Sequence, residues 1–186
     1  MNAIPSEITP GPIAENSLVR VSIAQPCARL NLRARAAAVA PLCDALGLEL
    51  SDRIGKRSRA DTREALCLGP DEWLILTRED DAASAISACA AIYDRHPHSL
   101  VDISGREITV EISGEKATDL LTLGCPRDPE TIAIGEGRRT VFDGVSVVIR
   151  REEANRFAMD MWHSFAPFAL SLLATGAAEI AAEASL

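Results

Sequence analysis

Ala65-Leu66-Cys67-Leu68-Gly69-Pro70-Asp71-Glu72-Trp73-Leu74-Ile75-Leu76 sets two short apolar runs on either side of Gly-Pro-Asp-Glu. Pro70 presets φ at the second position of a turn and Asp71 is tolerated at the third, so the stretch predicts a β-hairpin. Trp73, one of two tryptophans in the chain, opens the return strand. A large amphipathic ring in that place anchors a core, lines a cleft, or meets another protein, and the burial tendency of Trp favours the core. A two-stranded hairpin is marginal in water by itself, so the flanking segments must supply its cover.

Upstream, Leu30 and Leu32 alternate with Asn31 and Arg33, and then Val39, Leu42, Cys43 and Leu46 recur at helical spacing before Gly47. That is a strand followed by an amphipathic helix stopped by glycine. The link to the hairpin carries Arg53, Lys56, Arg57, Arg59 and Arg63, and Gly55 with Ser58 makes it read as a loop. Downstream, residues 80–95 predict a helix with Ile86, Cys89, Ala90 and Tyr93 on one stripe, acidic residues at its start and Pro97 after its end. Leu100, Val101 and Ile103 form a short strand, and Ile108, Val110 and Ile112 alternate in a second. Ser113 is a candidate cap for a helix carrying Ala117, Leu120 and Leu121, with Gly124 and Pro126 as its stop.

Asp143-Gly144 between Val141-Phe142 and Val145–Ile149 signals a second hairpin, and Phe157, Met159 and Met161 alternate in a further strand. A closing helix capped by Ser164 has Phe165, Phe168 and Leu172 on its apolar face and Gly176 at its end. The order predicts an α+β fold of two ferredoxin-like βαββαβ-type halves packed together. Residues 1–26, with four prolines, read as an extended, flexible N-terminal arm in which Val19, Val21 and Ile23 can add a short strand. Residues 27–176 then form a single α+β domain, and 177–186 an Ala-rich C-terminal tail that either extends the closing helix or frays.

With 186 residues and a formal net charge of −8, the chain can bury a sizeable core but lacks the basic face of a general nucleic-acid binder. Charge is uneven, since nine basic residues face four acidic ones between Arg20 and Arg63. That region can dock an acidic partner, bind an anion, or serve as a solvated connector. Five cysteines at wide spacing, without a Cys-x-x-Cys pair, fit free thiols in a reducing cytoplasm. No basic leader and no apolar run near about 18 residues is present, so the expectation is a soluble, cytoplasmic protein with no membrane contact.

No reactive constellation is legible. Gly135-Glu136-Gly137 lacks the context of a phosphate loop, and His96 and His98 read as solvent-facing loop residues without metal partners. His163, between Trp162 and Ser164 at a strand-to-helix junction, can cap the helix, pair with a carboxylate, or face a partner. Cys125 follows a helix C-terminus, whose partial negative charge raises a thiol pKa, so it is no candidate nucleophile. Asp102 either serves a site or takes a hydrogen bond from Arg106 across a turn.

Leu68-Gly69-Pro70-Asp71-Glu72-Trp73-Leu74, Leu123-Gly124-Cys125-Pro126-Arg127-Asp128 and Trp162-His163-Ser164-Phe165-Ala166-Pro167-Phe168, with Val101-Asp102-Ile103-Ser104 between them, together resemble the gamma subunit family of heterotetrameric sarcosine oxidase. The resemblance covers most of residues 28–175, with His163 where Arg is more usual. It implies a fold similar to the folate-binding domain of aminomethyltransferase-like proteins and a chain without catalytic residues or metal of its own. It implies alpha, beta and delta subunits as partners, chiefly alpha. FAD, FMN, NAD, tetrahydrofolate and zinc would then reside in those other subunits. The implied holoenzyme is an oxidoreductase that demethylates sarcosine to glycine, reducing oxygen to hydrogen peroxide. Candidate partner contacts are Arg57, Arg59, Trp162, His163 and Phe165. The alternative is a stand-alone folate-binding module or one-carbon accessory protein with a pocket at Trp73, Asp102 and Arg106, where Arg106 can pair with a carboxylate. In isolation an uncovered partner surface favours self-association.

Overall fold

Pro70 and Asp71 make the turn that their residue types dictate, and the runs on either side pair as antiparallel strands with a bulge between Cys67 and Gly69. The computed structural model describes residues 8–185. Along the chain lie β1 (Gly11–Glu15), β2 (Arg20–Ile23), β3 (Ala28–Ala34), α1 (Ala36–Leu46), β4 (Arg57–Ala60), β5 (Arg63–Gly69), β6 (Glu72–Thr77), α2 (Ala82–Ala90), β7 (His98–Asp102) and β8 (Glu107–Ser113). They are followed by α3 (Ala117–Thr122), β9 (Gly137–Phe142), β10 (Val145–Glu153), β11 (Arg156–Trp162) and α4 (Ala166–Glu183). The fold is mixed α+β with two antiparallel sheets. Two compact units divide the chain.

The unit of residues 26–105 and 135–138 has the sheet order β4-β5-β6-β3-β7. Leu30, Leu32, Ala65, Cys67, Trp73 and Ile75 project from one face of this sheet into a core shared with Leu42 and Leu46 of α1 and Ala85 and Cys89 of α2. Gly47 ends α1 in the left-handed region (φ 60°), and the amide of Leu48 reaches back to the Cys43 carbonyl at 3.1 Å. The glycine stop read from sequence is therefore a real C-cap.

The other unit takes residues 8–25, 106–134 and 139–185 among those described, and its strand order is β1-β2-β8-β11-β10-β9. With β9 as an added edge strand, the succession β8-α3-β10-β11-α4 lacks a final strand. β2 fills that position, running antiparallel to β8 with Val21 opposite Ile112 and Ile23 opposite Val110. Val21, Val110, Ile112, Ile149, Phe157, Met159 and Met161 form a core with Leu120, Leu121, Ala169 and Leu173 from α3 and α4. On alternate residues of β10 and β11, Arg150 Nε donates to Asp160 Oδ2 at 3.0 Å, and Thr109 on β8 donates to the same carboxylate. All three are buried, and the pairing removes much of the cost of holding charge out of water.

Several expectations change. The strand expected from Val19, Val21 and Ile23 forms as β2, but β1 pairs with it as a β-hairpin built into a sheet instead of forming a flexible arm, while residues 1–7 lie outside the described residues. Asn16 holds that hairpin closed by accepting from the amides of Leu18 and Val19 at 2.9 Å, and its side-chain amide donates to the Ala177 carbonyl of α4. The basic link before the hairpin is not all loop, since Arg57–Ala60 pairs with β5. The second helix is shorter than its periodicity predicts, because residues beyond Ala90 tighten into successive turns. Neither Ser113 nor Ser164 caps a helix.

Gly176 does not stop α4 but lies inside it, against α3. A Cβ at that position would run into Leu123 and lie 2.8 Å from Leu120 Cδ1. The predicted tail is correspondingly helical through Glu183. His163–Glu183 is long and apolar enough by composition to span a membrane, yet its small residues Ala166, Ala169 and Ala177 pack into the core of this unit.

The β8–α3 corner depends on one glycine. Gly114 has φ +120°, and a Cβ there would run into the Leu18 carbonyl oxygen and lie 2.9 Å from Val19 Cα, both backbone atoms that cannot swing aside. Gly114→Ala is expected to lower unfolding stability by about 2 kcal/mol or more, combining left-handed strain with a backbone clash. Urea unfolding checks this, and a midpoint equal to wild type would show that the Leu18–Gly114 approach is not required.

Candidate functional site

Trp73 is a core residue. It is 2% exposed, its indole Nε1 donates to the Ser51 carbonyl at 2.7 Å, and it lies in a row with Cys67, Leu32 and Leu100 across the sheet. The ring thus fastens the α1–β4 connection to the core, with its polar edge satisfied.

Asp102 ends β7, and its carboxylate accepts from the Ser104 amide at 2.9 Å and the Ser104 hydroxyl at 2.6 Å. These hydrogen bonds, the hydroxyl's foremost, hold its pKa below the usual carboxylate value. Ser104 Oγ in turn accepts from the Arg29 amide at 2.9 Å, so the motif pins the β7–β8 turn to β3. Arg106 does not take part in that turn's hydrogen bonding. Its guanidinium stacks over the Trp162 ring, 4.8 Å from the centroid. Trp73, Asp102 and Arg106 therefore each have a separate local partner, Ser51, Ser104 and Trp162.

The basic residues before the hairpin are matched by carboxylates rather than spread as a free face. Arg57 Nε bonds Glu64 at 2.7 Å with 3% of its side chain exposed, Arg59 reaches the same Glu64 at 2.7 Å, and Arg53 pairs with Glu136. Arg63 forms a two-pronged contact with Asp81, at 2.6 and 2.7 Å, and also donates to the Leu46 carbonyl at the end of α1. Of the two arginines expected at a partner, only Arg59 keeps an exposed side chain. No group of His, Cys, Asp and Glu able to hold a metal occurs among the described residues. Burial pushes the Cys67 and Cys89 thiols up, away from nucleophilic character.

What the structure does assemble is an aromatic surface at the β11–α4 junction. Trp162 and Phe165 stack with centroids 6.1 Å apart, Arg106 lies over the indole, and Phe168 follows one turn into α4. Trp162, Phe165 and Phe168 are 47%, 43% and 51% exposed, and His163 between them is exposed too. The helical spacing of Phe165 and Phe168 reads as a core-facing stripe, but α4 turns Ala166, Ala169, Leu173, Gly176 and Ala177 inward instead. Three large aromatic rings left in water beside a guanidinium have the composition of a protein-binding hot spot. Phe168 was legible as aromatic but not as exposed, because periodicity cannot say which of two apolar stripes meets the sheet.

The family model described as sarcosine oxidase, gamma subunit family matches residues 31–179. Sarcosine oxidase subunit gamma of Arthrobacter sp is 28% identical over 115 residues, and that of Corynebacterium sp. (strain P-1) is 30% identical over 115 residues. Each match takes in 60% of this chain and 56% of the relative, so the chain spans a little over half the length of these curated relatives. A chain in the structure of heterotetrameric sarcosine oxidase from Corynebacterium sp. U-96 in complex with pyrrole 2-carboxylate superposes with TM-score 0.80 at 22% identity, over 89% of this chain and 87% of that one. Glycine cleavage system aminomethyltransferase T from Bartonella henselae gives TM-score 0.64 at 11% identity, over 84% of this chain and 45% of that one. At these identities the two structures establish a shared fold.

The Arg63–Asp81 pair yields a pH-dependent expectation. The hydrogen bond from Arg63, supported by the hydroxyls of Thr77 and Thr62, holds the Asp81 carboxyl well below the usual carboxylate range. A depressed folded-state pKa contributes stability that is present above the unfolded value of about 3.9 and is lost as pH falls toward the folded value. Asp81→Asn is expected to cost about 2 kcal/mol at neutral pH, with the gap from wild type narrowing below about pH 4. Chemical unfolding across that range checks the sign. A gap that stays constant with pH would mean that the charged carboxylate is not its source.

Proposed function

Since the chain belongs to the sarcosine oxidase gamma subunit family, we propose that it is the non-catalytic gamma subunit of a heterotetrameric sarcosine oxidase. In this role it assembles with alpha, beta and delta subunits in the cytoplasm and orders the large alpha subunit. FAD, FMN, NAD, tetrahydrofolate and zinc belong to the partners, and the holoenzyme oxidatively demethylates sarcosine to glycine. The observation that carries the reading is the exposed Trp162–Phe165–Phe168 surface, in a fold similar to a chain of a heterotetrameric sarcosine oxidase. Large aromatic side chains anchor interfaces because they bury much area at little entropic cost. Trp162, Phe165 and His163 are the contacts assigned to the alpha subunit, with Arg106 stacked on Trp162 and the exposed Arg59 on the separate strand β4. Five thiols without a disulfide are consistent with a reducing compartment.

The alternative of a folate-binding pocket at Trp73, Asp102 and Arg106 draws support from the likeness to aminomethyltransferase T. It is weakened by the buried indole and by the separate engagements of Asp102 and Arg106.

Co-expression with the alpha, beta and delta subunits tests the assembly reading. The chain should co-purify stably with a tagged alpha subunit, and Trp162→Ala combined with Phe168→Ala should weaken retention by about 30-fold, the loss of a 2 kcal/mol hot spot. Both side chains are about half exposed, so the variant's circular dichroism should match wild type. Normal assembly and turnover of the other three subunits without this chain would overturn the reading.

A further inference from the structure

We infer that the unit containing residues 26–105 carries a cleft for a small anionic molecule with two or more negative charges. The cleft has a volume of about 570 Å3, within the range of about 300–1,000 Å3 usual for small-molecule sites. Its wall draws Arg33 from β3, Arg35 before α1, Arg95 and His96 from the turns leading into β7, and His98 from the start of β7. Asp71 is the only carboxylate in that lining. In a chain with net charge −8, this is a local concentration of positive charge on a concave surface, which attracts and retains anions.

The cations are not all spent on internal pairing. Arg33 is held by Asp71 at 3.2 Å and by Glu72 at 2.8 Å, which fixes one wall. Arg35 and Arg95 are exposed and make no ion pair among the described residues, in contrast to Arg53, Arg57, Arg59 and Arg63, each of which has a carboxylate. His98 Nδ1 lies 2.7 Å from the His96 carbonyl, so that nitrogen carries the proton and donates to the carbonyl. The ring is further held edge-on by Tyr93, with centroids 5.6 Å apart. Arg35 stands at the N-cap of the 11-residue α1, whose first turn contains no acidic residue. Two unpaired guanidiniums in one cleft fit an anion with two charged groups, since each guanidinium can bind an oxyanion through paired hydrogen bonds. The concave shape favours a small molecule over a polypeptide.

This inference does not rest on the assembly reading, because co-purification can fail with the cleft intact. The test is isothermal calorimetry of the full chain at low salt, with inorganic pyrophosphate and citrate titrated separately. The expected result is saturable one-site binding of at least one probe, weakened about tenfold or more by Arg35→Gln with Arg95→Gln and unchanged by Arg59→Gln. Binding of pyrophosphate alone assigns a phosphorylated ligand, and binding of citrate alone a polycarboxylate. The inference is overturned if neither probe saturates at millimolar concentration, or if Arg59→Gln weakens binding as much as the double variant. It is also overturned if only an oligoglutamate peptide binds in an arginine-dependent way, since the cleft would then be a docking site for an acidic segment. Arg35 and Arg95 have no partner to lose, so melting temperatures of the variants should match wild type.

Discussion

The antiparallel pairing of Arg20–Ile23 with Val110–Ser113 joins the beginning of the chain to segments roughly ninety residues later, with residues 26–105 of the other unit lying between in sequence. β8 would otherwise end the sheet on that side with a row of unpaired backbone groups, an invitation to pair with another chain. Burying Val19, Val21 and Ile23 contributes on the order of 1.5–3 kcal/mol for each side chain, a gain available only once the closure entropy of the long intervening segment is offset. Asn16, through its bond to Ala177, and Gly114, through its close approach to Leu18, complete that closure at the Arg20 end of β2. Each of these contacts joins parts of the chain that are far apart in sequence.

Once β2 and β8 are paired, the position of α4 follows from side-chain size. The helix lays Ala166, Ala169, Gly176 and Ala177 inward, and small residues permit close approach to neighbouring elements. Gly176 accommodates Leu120 and Leu123 of the α3 region where any side chain would intrude. Selecting that stripe as the inner face turns Phe165 and Phe168 toward solvent beside Trp162. The packing of a core thereby creates the surface on which the gamma-subunit reading rests. A stripe of large aromatics facing inward would have left this end of the unit with an alanine-rich exterior and no anchors for a partner.

In the other unit, charge is organised on two levels. Arginines on the hairpin side are met by carboxylates, Arg57 and Arg59 sharing Glu64, Arg63 on Asp81 and Arg53 on Glu136, and these pairs tie β4, β5 and the start of α2 together. Arg35 and Arg95 are left without such partners around a concave surface. Sequence composition sees only the excess of basic residues from Arg20 to Arg63. It therefore drew attention to the denser run at 53–63, whereas the cationic cleft is gathered from residues 33–35 and 95–98.

Local chemistry in the sequence determined both tight hairpins, the glycine cap at Gly47 and the alternating strands at 28–34, 107–113 and 156–162. Turn residues and strand periodicity act over a few positions and are read without knowing the rest of the fold. The same local order supported an α+β assignment, and dispersed motifs pointed to the family that residues 31–179 match. Tertiary structure alone decided that the Trp73 indole bonds Ser51, that Arg106 stacks on Trp162 rather than closing the turn at Asp102, and that residues 11–15 are a strand rather than part of an arm. Those outcomes depend on pairings between distant segments and on which of two apolar stripes a sheet accepts. Neither is encoded in any single window of sequence, because the free energy that selects them exists only when both partners are present.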